Sequence, residues 1–508
     1  MRYSFTALDL IVIVAYLAGT TLFGIYLGRG QKDAKDYFLA GRGIPWWAVL
    51  FSIVATETSA LTVISIPGLA YIGNLGFLQI AVGYIIGRVV VAFTLLPRYY
   101  RGNLVTAYAL LEQRFGVATR RFASVVFMLT RAFADSVRVF ATAIPIALII
   151  GPVIPLRFVM PAAILTLGAL TLIYTYHGGV RAVVWTDVVQ TCVYLIGGIA
   201  AMVILSHGVP GGWGTIIRTA GEAGKLRFID TYTGFDRPHT LFAGLIGGAF
   251  LSMASHGADQ VIVQRLMAAG SLRDARKALI GSGIAVFLQF TLFLIIGAGL
   301  WVYLGARSFD SPDKIFPTFI VTAMPPGLIG LLIAAILAAT MSAHSGAINS
   351  LAAATVHDIY LPLTGRSVDE ARTLRVAKLA SLAWGIALLI GALLYKQQGT
   401  PVVVVALAIA SFTYGALLGG FALGILWPRA QQRDALIAMS SGILVMSVVV
   451  FAKQLSAMLL ARGIVWPVLD ALGTIAWPWY VLIGTTVTVS VGILSSFVGH
   501  ARDVRRPA

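Results

Sequence analysis

A long apolar segment between Gly327 and Tyr360 carries side chains that apolar segments rarely hold. Its centre, Ala338–Ser350, contains Thr340, Ser342, His344, Ser345, Asn349 and Ser350. Ser342, Ser345 and Asn349 recur at i, i+3 and i+7, so they share one helix face. Hydroxyl oxygens beside free backbone carbonyls make a hard-oxygen site of the kind a small cation takes. The same residue types also serve helix–helix packing in membranes, and spacing alone leaves both readings open. A second polar stretch, Ala55-Thr56-Glu57-Thr58-Ser59-Ala60-Leu61-Thr62, lies near the other end of the chain.

Glu57 is the sharpest feature of that second stretch. An acidic residue deep in an apolar span costs about 2.5–3.5 kcal/mol on insertion scales, so it must pair, titrate or bind something. Arg131 and Arg138 are basic residues available to it from another span. They lie with Asp135 on one helix face at i, i+4 and i+7, where Asp135 pairs with either arginine. The second arginine is left over for Glu57 or an anionic ligand. Asp187, in Trp185-Thr186-Asp187-Val188-Val189-Gln190, either sits at the membrane interface or faces a cavity and binds a cation or proton. His256 and His344 read as hydrogen-bonded structural histidines before they read as proton relays.

These groups need a frame that excludes water, and the composition supplies one. Of 508 residues, 58% are hydrophobic and 11% charged, against about 25% charged in a soluble domain. That balance fits an all-α polytopic membrane protein. Thirteen segments are long and apolar enough to span a bilayer: 7–28, 46–72, 77–97, 122–150, 158–177, 183–206, 241–264, 279–304, 327–355, 375–395, 400–427, 434–453 and 475–498. The first is too long for a signal-peptide core and reads as a retained span.

With the N-terminus outside, twenty-three Lys and Arg fall on cytoplasmic loops and eleven on external ones. The positive-inside rule then places the C-terminus in the cytoplasm of a cell (inner) membrane protein. The same bias explains the net charge of +17 without nucleic acid. One cysteine, Cys192, excludes an internal disulfide and a cysteine-built metal site. No Walker, Gly-x-Ser-x-Gly or zinc-type spacing appears, so neither an enzyme nor an ATP-driven pump is indicated.

Spans two to six and seven to eleven divide into two five-helix halves, 46–206 and 241–430. They are preceded by an extra span and cytoplasmic loop at 1–45, separated by an external loop at 207–240, and followed by extra spans and a basic tail at 431–508. Inverted repeats in transporters keep only weak sequence traces, and the first helix of each half is interrupted at mid-membrane. Ser52–Gly68 and Gly244–Gln264 have the polar and glycine content for such breaks.

Several motifs together resemble the sodium:solute symporters, which include proline, galactose and sialic acid carriers. They are Asp36-Tyr37-Phe38-Leu39-Ala40-Gly41-Arg42, Ala55–Pro67, Tyr174–Arg181 with Trp185–Gln190, Asp259-Gln260 with Val263-Gln264-Arg265, Ala338–Ser350, and His357-Asp358-Ile359-Tyr360. The resemblance implies the leucine-transporter-type fold with a 5+5 inverted-repeat core. It implies cation-driven uptake of a small polar organic solute, sodium as the bound ion and no organic cofactor. The partners it implies are the solute and the lipid bilayer, and a monomer suffices.

Carried over, the sodium site uses the carbonyls of Ala55, Thr58 and Ala339 and the hydroxyl of Ser342, with Ser345 close by. The family's usual second hydroxyl is replaced here by Ala343, which keeps a proton-coupled or uncoupled carrier as an alternative, beside a transporter-like sensor. A further sodium site in some relatives uses an acid matching Asp187 and ends on a serine where this chain has Gly346. Solute contacts fall to Glu57, Ser59 and Thr62, and to Gln79 in the next span. Asp187, Arg131, Asp135 and Arg138 are the coupling or gating residues. Ala134 stands near the position where anion-carrying relatives place an arginine, with Arg131 and Arg138 flanking it.

Overall fold

The computed structural model describes residues 5–28, 43–58, 60–101, 104, 106–151, 154–177, 180–364, 370–396 and 401–503. Ser59, the Asp36–Arg42 motif and Gly178-Gly179 lie outside them. Among the described residues the chain is helical, with one isolated parallel bridge between Ile44 and Ala269 and no β-strand. The principal helices in chain order are α1 (Ala7–Gly28), α2 (Trp46–Glu57), α3 (Ala60–Ile72), α4 (Leu78–Thr94), α5 (Val117–Ile150), α6 (Leu156–His177), α7 (Val180–Gly208) and α8 (Gly248–Gly257). They continue as α9 (Gln260–Met267), α10 (Leu272–Tyr303), α11 (Ile315–Ala323), α12 (Leu328–Ala353), α13 (Glu370–Leu394), α14 (Val402–Leu426), α15 (Gln432–Val450) and α16 (Trp479–Asp503).

Nine helices among the described residues are long and apolar enough to cross a membrane, or ten when the bent α2–α3 pair counts as one span. Hydropathy led to thirteen, and the other three are helical but interrupted. Segment 122–150 belongs to α5, whose middle carries Arg131, Asp135 and Arg138. Segment 158–177 belongs to α6, whose apolar part is Leu156–Leu172. Segment 241–264 divides into α8 and α9 at Ala258-Asp259.

Two breaks organise the bundle. The halves α2 and α3 meet at 56°. Thr58 ends α2 with φ −100° and ψ 40°, and its amide and hydroxyl lie 2.8 Å and 2.6 Å from the Val54 carbonyl oxygen. A β-branched residue whose hydroxyl reaches back one turn competes with the next helical bond. At the second break Asp259 leaves the helix and its carboxylate accepts the amide of Val261 at 2.8 Å, starting α9. Every residue of α9 is buried, so its polar side chains have protein partners, as groups shielded from water require. Gln260 accepts the Ala107 amide at 2.6 Å, and Gln264 accepts the Ser350 hydroxyl at 3.0 Å.

Helix α12 is buried along almost its whole length and packs against α1, α6, α7 and α13. Its N-terminus begins at Gly327, whose φ of 86° suits only glycine without strain. Asp9 of α1 accepts the amides of Gly327 and Gly330 there, at 2.7 Å and 2.8 Å. A buried carboxylate thus satisfies donors that a helix start leaves free. Replacing Asp9 by Ala strands these amides and should destabilise the fold by about 1–3 kcal/mol. The measurement is the thermal unfolding midpoint of purified protein in detergent; a midpoint equal to wild type would show that α12 does not depend on this cap.

Candidate functional site

The two polar stretches meet around Asp187 of α7. Asp187 is 2% exposed. Its Oδ1 accepts the Ser342 hydroxyl of α12 at 2.5 Å, and its Oδ2 accepts the Ser52 hydroxyl of α2 at 2.6 Å. Ser52 in turn accepts Nε of Arg265 at 3.0 Å, and Nη2 of Arg265 lies 3.7 Å from Oδ2 of Asp187. One carboxylate therefore ties the inner half of the first broken helix to the polar helix, with its charge opposed by an arginine of the second broken helix. The cavity-facing alternative for Asp187 is closer to this arrangement than the interfacial one.

Gly346 is part of the same fit. A Cβ there would stand 2.7 Å from Nη2 of Arg265, closer than real Cβ contacts occur, so the missing side chain is what admits the guanidinium. Sequence reading placed Arg265 among the cytoplasmic loop charges. It is buried and paired instead, because α9 folds back into the protein. The charge bias that remains is twenty-two to eleven and keeps its sign.

Glu57 ends α2 beside a cavity of about 100 Å³ whose walls include Thr62, Phe77, Arg138, His256, Phe290 and Tyr414. Its partner corrects the sequence expectation. Glu57 pairs with Arg88 of α4, a fully buried guanidinium that also donates to Ser282 at 2.9 Å. Nε2 of His256 stands 3.5 Å away. Arg131 and Arg138 are held elsewhere. Their Nε atoms lie 3.2 Å and 3.6 Å from the two oxygens of Asp135, and Nη1 of Arg131 lies 3.7 Å from Asp259. Asp259 also accepts the hydroxyl of Tyr414.

The sequence-selected residues divide into groups. Glu57, Thr62, Arg131 and Arg138 line the cavity, as does Ala134. Asp135 is buried behind the arginines. Ser342 joins Asp187. Thr58, whose hydroxyl also lies 2.8 Å from the Gln289 side-chain oxygen, sits at the break with Ala55 one turn earlier. Ala339 and Ser345 are buried on α12, and the Ser345 hydroxyl has no hydrogen-bond partner among the described residues.

Gln79 is outside the cavity. It binds the external loop, donating to the carbonyls of Gly76 and His239 at 3.2 Å and 2.9 Å and accepting the Asp230 amide at 3.1 Å. That loop and the outer end of α3 enclose an outer pocket of about 400 Å³, and Phe77 walls both spaces. Burial pushes His239 in this pocket down to about 4, so it is neutral near pH 7. Sequence reading assigned no role to Arg88, Ser52, Gln289 or Tyr414. Only Arg88 carried a signal, as a lone charge inside an apolar span.

A broken helix and a polar helix face that share a buried, charge-paired cavity make up a membrane carrier. The sequence profile of the sodium:solute symporter family matches residues 37–442. The sodium/sialic acid symporter NanT of Aliivibrio fischeri is 30% identical over 87% of this chain and 87% of its own. SiaT of Proteus mirabilis, a sodium/sialic acid symporter, is 30% identical over 89% and 90%. Among solved structures, the substrate-bound outward-open state of a Na+-coupled sialic acid symporter superposes with a TM-score of 0.84 at 28% identity, covering 97% of this chain and 98% of that one. The chain belongs to the sodium:solute symporter family, and its fold is of the leucine-transporter type.

Removing one member of a buried ion pair leaves the other charge stranded, at a cost of about 3–5 kcal/mol. Arg88→Met should therefore lower the unfolding midpoint sharply, and Arg88→Met with Glu57→Gln should recover most of the loss. Additive losses in the double variant would show that the pair is not coupled.

Proposed function

We propose that this protein is a multi-pass carrier of the cell membrane that takes up a small polar organic solute together with sodium. Its thirteen spans form two inverted five-helix halves, 46–206 and 241–430, with an added N-terminal span and added C-terminal spans. The N-terminus is outside and the C-terminus cytoplasmic. The observation that carries the proposal is the placement of Ser342, which belongs to the polar helix yet is bonded through Asp187 to the broken one.

Sodium is a co-transported substrate here, and the donor set suits it. The last carbonyls of a helix have no donor inside the helix. At the end of α2, Val54 is capped by Thr58 and Thr56 accepts Nη1 of Arg138 at 3.4 Å. The carbonyls of Ala55 and Thr58, with that of Ala339, are the ones assigned to the ion. Ser342 spends its proton on Asp187, which leaves its oxygen lone pairs for a cation. Ser345 adds a free hydroxyl in place of the one missing at Ala343. Holding α2 to α12 through the ion favours one arrangement of the two helices, which is how a ligand with differential affinity shifts a conformational equilibrium.

Arg265 supplies the positive charge beside Asp187, so we assign a single sodium per cycle. The solute occupies the cavity at Thr62 and Glu57, with Ser59 of the same stretch, and enters from the outer pocket past Phe77. Gln79 fixes the external loop that frames that entrance. Rocking of the core then opens the site inward.

Ser342→Ala should abolish binding of isotopic sodium to purified protein, and wild-type binding should follow a single-site isotherm. Sodium binding that survives the substitution removes Ser342 from the site. The proton-coupled or uncoupled alternative rests on Ala343, and it predicts no sodium binding in either protein.

A further inference from the structure

The cavity beside Glu57 has a charge pattern that selects among solutes. Four arginines, Arg88, Arg131, Arg138 and Arg265, stand in and around it against four acids, Glu57, Asp135, Asp187 and Asp259. With histidines neutral, the empty site is balanced. The two carboxylates on its wall are both engaged. Glu57 faces Arg88 and His256. Asp259 accepts Tyr414 and the Val261 amide and faces Arg131. A solute ammonium therefore meets no free carboxylate.

Arg138 is in the opposite position. Its only ionic partner among the described residues is Asp135, at 3.6 Å, and Arg131 approaches that same carboxylate more closely, at 3.2 Å. The Nε of Arg138 has no hydrogen-bond partner there. Its side chain is 15% exposed and lines the cavity. A guanidinium edge with donors to spare is built for bidentate binding of a carboxylate. Much of the remaining wall is apolar, from Phe77, Leu251, Phe290, Val403 and Leu407. The space of about 100 Å³ is smaller than the cavity of about 150 Å³ that accepts benzene.

From these observations we infer that the solute is a small monocarboxylate with a short, largely apolar body, whose carboxylate is bound by Arg138. The inference rests on the sodium-coupled reading and adds a physical reason for the coupling. Sodium alone would leave a net positive charge in a medium that screens poorly. A carboxylate brought in beside it restores the balance, so each ligand strengthens the binding of the other.

The test uses the full-length protein in detergent and reads its unfolding midpoint at constant ionic strength with sodium or choline. A ligand that binds only the folded state raises the midpoint by mass action. The probes are propionate, L-lactate and pyruvate. The controls are propionamide, L-alanine and N-acetylneuraminate. At least one of the three monocarboxylates should raise the midpoint saturably in sodium and not in choline, while the controls leave it unchanged. Arg138→Gln should weaken that response at least tenfold and keep the response to sodium alone. Arg138→Lys, which keeps the charge and loses the fork, should fall between and serves if the glutamine variant does not fold.

Stabilisation by propionamide or L-alanine, or a carboxylate response unaltered in both variants, overturns the inference. So does a response to N-acetylneuraminate, which is too large for the cavity described. A sodium response with no monocarboxylate response sinks this inference alone. No sodium response in the wild type sinks the carrier reading and this inference with it.

Discussion

Asp187 is the constraint on which the site depends. A carboxylate without water must be fully solvated by protein, and here the solvating groups come from three helices that have no other polar reason to meet. Ser52 and Ser342 each donate one hydrogen bond, and Arg265 supplies the charge. If any one of α2, α9 or α12 moved by a helical turn, Asp187 would lose a partner at a cost larger than that of an ordinary contact. The spacing between the broken helix and the polar helix is therefore set by electrostatics, and the apolar packing of α12 follows from it.

The same rule explains where the helices break. A continuous α2–α3 helix would bury its carbonyls in a regular ladder and offer a ligand nothing. Thr58 interrupts the ladder, and the cost is contained because Val54 and Thr56 find new donors in Thr58 and Arg138. The second break is contained similarly by the carboxylate of Asp259 at the start of α9. Each break thus exposes backbone only where charged side chains converge, which is the condition under which irregular backbone survives at membrane depth.

Much of this could be read from the sequence, for reasons that also explain what could not. Glu57 and Asp187 stood out because ionisable residues in apolar spans are expensive, and both line or adjoin the site. The partner of Glu57 could not be read. Arg88 lies on a different span, and no periodicity links residues on separate helices, so nearer-looking arginines were favoured. Arg265 was misplaced because hydropathy measures average polarity, and a short, wholly buried polar helix such as α9 averages like a loop. Gln79 shows the same limit, since a polar residue near a span end lines a cavity or fastens a loop with equal ease. The family motifs identified the fold and the polar helix because they are joint patterns across most of the chain. The span count was the weakest inference, because charges at functional breaks lower the very signal by which spans are counted.

The outer and inner ends of the bundle are each closed by one buried acid, which bears on how the cavity opens. Outside, Asp313 accepts the Ser65 hydroxyl of α3 and the Val402 amide that begins α14. Inside, Asp358 accepts the hydroxyls of Thr106 and Ser124 and the guanidinium of Arg120. A hydrogen bond to a charged group contributes about 1.5–3 kcal/mol, so opening either end means breaking a few such bonds and exposing the acid to water that repays part of the cost. That range matches what ligand binding can supply. Moving a two-state equilibrium from 1:99 to 99:1 takes about 5.5 kcal/mol of differential affinity, more than one ordinary contact provides. Sodium between α2 and α12 and a solute anion on Arg138 act on helices that carry one latch each: α3 continues from α2 to Ser65, and α12 runs on toward Asp358. Two ligands that neutralise each other at the centre can thus bias both latches, whereas a single uncompensated charge would work against its own binding.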